Sequence, residues 1–102
     1  MNWTLDQLLA FVTAAELGSF SAAARQLHKA QSRISSAIAN LELDLGFELF
    51  DRSSKFPALT ALGKEMLPEA RAVLNQCLRL DARALAAANK EPISLRIAID
   101  EA

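Results

Sequence analysis

Five residues within one short segment carry side chains that donate or accept hydrogen bonds: Gln31, Ser32, Arg33, Ser35 and Ser36. Between and after them, Ile34, Ile38 and Leu41 recur at helical spacing, which predicts an amphipathic helix with one apolar stripe. The opposite face of that helix is slim and polar. Base edges in the major groove of duplex DNA present donors and acceptors to such a face, so hydrogen-bonded base reading is the chemistry that these residues could perform.

The charge around this segment favours a polyanionic partner. No acidic residue occurs between positions 17 and 41, whereas Arg25, Lys29 and Arg33 fall inside that stretch. The chain as a whole has a net charge of -1, but phosphates respond to the local potential rather than to the net charge. A basic helix face that is merely solvated is the alternative interpretation.

The elements that position this helix are two preceding helices and short turns. Thr4 or Asn2 is predicted to cap a first helix that ends at Gly18. Ser19 and Ser21 supply capping oxygens for a second helix, and a turn at residues 28–30 leads into the recognition helix, which should run from Gln31 to Asp44 and end at Gly46. Ala30 provides no capping side chain. Two helices across so short a turn are typical of a helix-turn-helix.

Residues 47–59 predict a β-hairpin with a polar tip, because apolar residues flank Arg52–Lys55 and Pro57 excludes a helix. A hairpin after a recognition helix is the wing of a winged helix. Arg52, Ser53 and Lys55 are candidate DNA contacts. Alternatively, Arg52 pairs with Asp51 or Glu48 and Lys55 only keeps the turn soluble.

A long helix is predicted from a cap at Thr60 to about Asn89, with a bend near Lys64 caused by Pro68. Its apolar stripe exceeds what a small core can cover, which predicts a homodimer through paired helices. The predicted dimer contacts are Met66, Ala70, Val73, Leu74, Cys77, Leu78 and Leu80. The expected fold is therefore mainly α: a winged helix-turn-helix over 1–60, a linker and dimerisation helix over 61–90, and the opening strand of a second domain over 91–102.

Several classes of function receive little support. The chain has one His and one Cys, no paired carboxylates at a plausible site and no glycine-rich phosphate loop, so an enzyme, a metal site and a cofactor are not expected. No segment predicts a membrane span or an export signal, and a cytoplasmic location is expected. His28 is more simply a turn residue than a phosphate contact, and Cys77 more simply a small buried hydrophobe than a redox switch.

The order of these elements, with its residue pattern, resembles the N-terminal region of LysR-type transcriptional regulators over nearly the whole chain. The resemblance rests on these segments: Leu8-Leu9-Ala10-Phe11, Gly18-Ser19-Phe20-Ser21-Ala22-Ala23-Ala24, Ile38, Leu41-Glu42, Leu45-Gly46, Leu49-Phe50-Asp51-Arg52 and Leu59-Thr60-Ala61-Leu62-Gly63. It implies a bacterial regulator that binds promoter DNA as a dimer or tetramer. A separate C-terminal domain, represented here by its first strand, would bind a small-molecule effector.

The resemblance also implies roles for particular positions. Gln31, Ser32 and Ser35 match positions that touch bases or nearby phosphates, Ser21 matches a helix start that contacts the DNA backbone, and Lys55 matches a basic wing position. Arg33 departs from the pattern, since a small apolar residue is usual there, and Ser36 stands where a longer polar or basic side chain is common.

Two other classes of protein stay open at this stage. One is a dimerisation or adaptor module that does not bind DNA. The other is a different winged-helix regulator, such as the molybdate-responsive type.

Overall fold

The computed structural model describes residues 1–89, which form four helices and one two-stranded hairpin. In chain order the elements are α1 (Leu5–Leu17), α2 (Phe20–Leu27), α3 (Gln31–Leu45), β1 (Phe50–Asp51), β2 (Ala58–Leu59) and α4 (Ala61–Asn89). The mainly α winged helix-turn-helix with a long final helix is confirmed. The strand predicted between residues 93 and 99 lies outside the described residues. None of the helices in residues 1–89 is long and apolar enough to cross a membrane.

Local capping sets the ends of the first two helices. Thr4 and Gln7 form a reciprocal capping box at the start of α1, and Gly18 ends this helix with a positive φ of 71°. Ser19 caps α2, its hydroxyl oxygen accepting a hydrogen bond from the Ala22 amide at 3.1 Å. Thr4, Ser19 and Gly18 therefore act as the sequence predicts.

The turn between α2 and α3 uses a left-handed residue. His28 adopts φ 58° and ψ 46°, and its amide donates to the carbonyl of Arg25 at 3.3 Å. α3 then begins at Gln31 with Ala30 as N-cap and without a side-chain cap, and it ends at Gly46 with φ 88°. His28 thus serves the turn, which fits the simpler of its two interpretations.

The core lies where α1, α2 and α3 meet the hairpin. Its largest fully buried side chains are Phe11, Ile34, Ile38, Leu41 and Leu49. The Phe50 ring, on β1, packs edge-on against Phe11 and Phe20, with centroids 5.8 and 5.2 Å apart. This aromatic cluster anchors the wing to the helix-turn-helix.

The apolar stripe of α4 divides into two parts. In the first part, Ala70 is buried, and Met66 and Leu74 pack on the core of the same chain. Met66 and Ala70, which the sequence places among the dimer contacts, thus cover α1 within their own domain. Further along, Leu78, Leu80 and Leu85 are 65–69% exposed, more than Leu62 and Val73 in the first part of the helix, which are 41% and 37% exposed.

The junction between the wing and α4 requires a glycine. The Thr60 hydroxyl caps α4 by accepting from the Gly63 amide at 2.9 Å, and it donates to the carbonyl of Glu48 at 2.7 Å. Gly63 is buried so close to the backbone of Leu49 that a β-carbon would overlap the Leu49 carbonyl oxygen. This contact fixes where α4 leaves the domain.

Candidate nucleic-acid interface

The outer face of α3 presents the predicted polar residues to solvent. Gln31, Ser32, Arg33 and Ser36 are exposed and Ser35 is half-buried. At the start of the helix, the amides of Arg33 and Ile34 bond to the Ala30 carbonyl. Those of Gln31 and Ser32 have no acceptor among residues 1–89. Free amides at a helix N-terminus attract anions, so this end of α3 is suited to a phosphate.

The start of α2 lies beside the start of α3. The Ser21 hydroxyl is hydrogen-bonded to that of Ser19 at 3.0 Å, which holds both side chains at the helix start. Lys29 is exposed in the turn that joins the two helices. The side chains of Ser21 and Lys29 therefore flank the amino end of α3 from the α2 side.

The wing tip is held by short-range hydrogen bonds. The Asp51 carboxylate accepts from the Ser53 amide at 2.9 Å, and this bond, with a further one from the Ser53 side chain, lowers the pKa of Asp51. The Ser54 hydroxyl donates to the Phe56 carbonyl at 3.0 Å. Lys55 and Phe56, at the tip of the loop that these bonds hold, are exposed. The tip is thus a structured loop that presents a cation and an aromatic ring.

A groove of about 600 Å³ runs between α3 and the wing. Among its walls are Ser21, Gln31, Ser35, Arg52 and Lys55, so the structure brings together half of the predicted DNA-binding residues. A second cleft of about 430 Å³, on the side of α1, is lined by Ser32, Arg33 and Ser36. The α3 face therefore borders both clefts, as expected of a helix that projects from the surface. Lys29 and Ser53 line neither.

Arg52 differs from its predicted role at the wing tip. Its guanidinium turns inward, donates to the Glu42 carboxylate at 3.1 Å and lies 5.6 Å from the centroid of the Phe20 ring. The sequence-based alternative expected Asp51 or Glu48 as the ionic partner, and both were wrong. Because Arg52 is already bound to Glu42, the geometry indicates that it positions the wing.

Glu42 is the residue that sequence reasoning missed. It is buried on α3, and its Oε2 accepts hydrogen bonds from the amides of Leu49 and Phe50 at 2.7 and 3.2 Å. A buried carboxylate is stable only when donors surround it. A signal was present, since Glu42 follows Ile38 by four residues and so falls on the core stripe. Glu42 ties the wing to the recognition helix.

Comparisons with known proteins agree with this geometry. Residues 5–64 match the family described as "Bacterial regulatory helix-turn-helix protein, lysR family". The transcriptional regulator AceR of Acinetobacter baumannii is 52% identical over 61 residues, which are 60% of this chain and 20% of AceR. TfdT of Cupriavidus pinatubonensis is 40% identical over 93 residues, or 91% of this chain and 41% of TfdT. The chain thus spans less than half the length of either relative.

A solved structure shows the same fold bound to its ligand. The CbnR DNA-binding domain in complex with DNA superposes with a TM-score of 0.77 at 40% identity, covering 83% of this chain and 98% of that one. The described helices and wing therefore correspond to nearly all of a domain that was crystallised on DNA.

Proposed function

Because the chain belongs to the LysR family of bacterial helix-turn-helix regulatory proteins, we propose that it is a transcriptional regulator whose residues 1–60 bind promoter DNA sequence-specifically. One observation carries the proposal: the polar face of α3 and the basic wing border one groove. Among the residues of 1–89 that line this groove, Glu42 is the only acidic one. The charge of Glu42 is compensated by Arg52, so phosphates that enter the groove meet Lys55 without an unpaired carboxylate.

In this proposal α3 enters the major groove and its residues divide by role. Arg33, Gln31 and Ser35 read base edges, for which bidentate Arg–guanine pairing offers the strongest discrimination. Ser32 and Ser36 contact bases or adjacent phosphates. Phosphate binding falls to Ser21 at the start of α2, Lys29 in the flanking turn, and Ser53 and Lys55 in the wing. Arg52 acts through Glu42 by holding the wing beside α3.

We propose further that two copies pair through the distal part of α4 and read an inverted repeat. The support is an exposed apolar stripe on α4: Leu78 and Leu85, seven residues apart, share one edge of it, Leu80 lies on the other edge, and the partly buried Cys77 lies between them. Paired two-fold symmetry would place two recognition helices at a fixed spacing on the duplex. Tetramer formation and effector binding are properties we assign to the full-length regulator. It would act in the bacterial cytoplasm, where promoter DNA is, and not as an enzyme.

The test is fluorescence anisotropy on a labelled duplex taken from upstream of the protein's own gene, against a scrambled duplex, over a salt series. We expect tighter binding to the native duplex, with affinity falling as salt rises because counterions are released from neutralised phosphates. Absence of binding to any duplex at low salt would refute DNA binding and favour a pure dimerisation module.

Two substitutions separate the proposed roles. Arg33→Ala should reduce the preference for the native duplex, by about 5- to 150-fold for one lost bidentate contact. Lys55→Ala should weaken binding to both duplexes alike and lower the salt slope by about one. Arg83→Ala, which removes an exposed cation from the distal part of α4, is the matched control and should change neither property. The reverse pattern for Arg33 and Lys55 would refute the assignment.

A further inference from the structure

One aromatic side chain in residues 1–89 lies apart from the core. Phe56 is 64% exposed at the wing tip, whereas Phe11 and Phe50 are buried and Phe20 and Phe47 pack against the core. The 64% of the Phe56 surface that stays in water contributes nothing to folding stability, since the hydrophobic free energy follows the area removed from water. The packing of the domain therefore accounts for only a minor part of this side chain.

The surroundings of the Phe56 ring indicate a partner that carries negative charge and also presents an apolar surface to the ring. The Lys55 ammonium lies 5.6 Å from the centroid of the Phe56 ring, so a cation and a ring are presented side by side. The carbonyl of Phe56 is held by the Ser54 hydroxyl, and Pro57 follows it with a fixed φ. Both features limit the directions in which the ring can point before any partner arrives.

The ring also lies on the wall of the groove that α3 borders. Phe56 and Lys55 line one side of this groove, while Gln31 and Ser35 line the other. A duplex whose major groove receives α3 would carry its next minor groove past the wing tip. Phosphates flank that groove, and sugars and base edges form its walls and floor, which matches a cation next to an apolar ring.

We propose, on the basis of the proposed DNA-binding function, that Phe56 inserts into the minor groove beside the sequence read by α3. There its ring packs on deoxyribose and base edges while Lys55 pairs with a flanking phosphate. Apolar side chains inserted in this way partly unstack a base step. The guanine 2-amino group projects into the minor groove, whereas A·T pairs present acceptors alone. Phe56 is thus a specificity residue that prefers A·T pairs in the flank.

The test uses the whole chain and three duplexes that share one native core sequence. Their flanks contain A·T, G·C or inosine·cytosine pairs; inosine lacks the 2-amino group but keeps the major-groove pattern of guanine. We expect the unmodified protein to bind the A·T and inosine flanks about tenfold more tightly than the G·C flank. Phe56→Ala should lose this preference while keeping the same salt slope, because the lost contact is uncharged.

Two variants serve as controls for this result. Phe56→Leu, which keeps an apolar inserting side chain, should retain most of the flank preference. Leu43→Ala removes another exposed apolar side chain, from α3 but outside the groove, and should leave flank preference unchanged. All variants should keep the unmodified melting temperature, since each side chain is exposed.

Two outcomes would overturn the inference, and they differ from a failure of DNA binding. If the unmodified protein and Phe56→Ala discriminate equally between the A·T and G·C flanks, the Phe56 ring does not cause the preference. If the inosine flank behaves like the G·C flank, the preference does not arise in the minor groove. Failure of the unmodified protein to bind any duplex would instead remove the proposed function itself.

Discussion

Replacing Glu42 by alanine removes the acceptor of two buried amides. Glu42 is 9% exposed, and its Oε2 bonds to Leu49 N at 2.7 Å and to Phe50 N at 3.2 Å. Leaving a buried donor unsatisfied costs about 1–3 kcal/mol each. Water that enters the space will satisfy part of this requirement. We therefore expect the free energy of unfolding to fall by about 3 kcal/mol.

Arg52→Ala provides the comparison that separates hydrogen bonding from the ion pair. The Arg52 side chain is 40% exposed, so solvent screens its attraction to Glu42 and the pair contributes about 0.5 kcal/mol. Its position over Phe20 adds about 0.5–1 kcal/mol. Arg52→Ala should thus cost about 1 kcal/mol, one third of the effect of Glu42→Ala. Glu42→Gln, which keeps one amide-accepting oxygen but loses the charge, should fall between the two.

Urea unfolding followed by far-ultraviolet circular dichroism measures these differences. At an m-value of about 1 kcal/mol per M, Glu42→Ala should lower the midpoint by about 3 M and Arg52→Ala by about 1 M. Protein concentration must be equal in all samples, because dimerisation would couple to stability. An equal loss for both variants would show that the ion pair, rather than the amide bonds, holds the wing to α3, and would refute the reasoning.

Two further predictions concern α4. Gly63→Ala should destabilise the fold by about 1–3 kcal/mol, because its β-carbon overlaps the Leu49 carbonyl. Helix propensity alone predicts the opposite sign, since alanine favours a helix more than glycine does. The control Ala72→Gly should therefore lower the free energy of unfolding by about 1 kcal/mol. If urea unfolding showed that Gly63→Ala stabilises the protein, the close contact with Leu49 would be contradicted. Leu78→Glu should convert a dimer into a monomer by sedimentation equilibrium, since it places a charge on the exposed apolar surface, whereas Ala72→Glu, on the face of α4 away from Leu78, Leu80 and Leu85, should leave the mass unchanged. A dimer that persists in Leu78→Glu would exclude this surface as the interface.

The helix ends were predictable because the residues that define them act locally. Thr4, Ser19 and Thr60 cap through side chains that reach amides three residues away, and Gly18 and Gly46 adopt the left-handed conformation that ends a helix. These interactions are complete within one turn of the chain, so spacing alone reveals them. The periodicity of α1, α3 and α4 likewise follows from burial of one face.

The interactions that were missed join residues distant in sequence. The place of Glu42 on the core stripe indicates that it is buried, but nothing near it in sequence indicates that amides seven and eight residues later donate to its carboxylate. The same limit applies to Met66 and Ala70, whose stripe can be covered by the same chain or by a second one. Sequence shows that a face is apolar, whereas tertiary packing decides which surface covers it. The roles of the polar α3 residues stay predictions, because side-chain type does not specify a base.

Because α3 begins without a side-chain cap, its first turn is less stable in the free protein. An Asp or Ser at position 30 would satisfy a free amide and contribute about 1 kcal/mol to stability, yet Ala30 leaves the amides of Gln31 and Ser32 open. An aspartate there would also place negative charge where a phosphate approaches in the proposed complex. In that complex a phosphate would replace the water bound to these amides, so DNA binding would stabilise a helix end that the protein itself leaves uncapped.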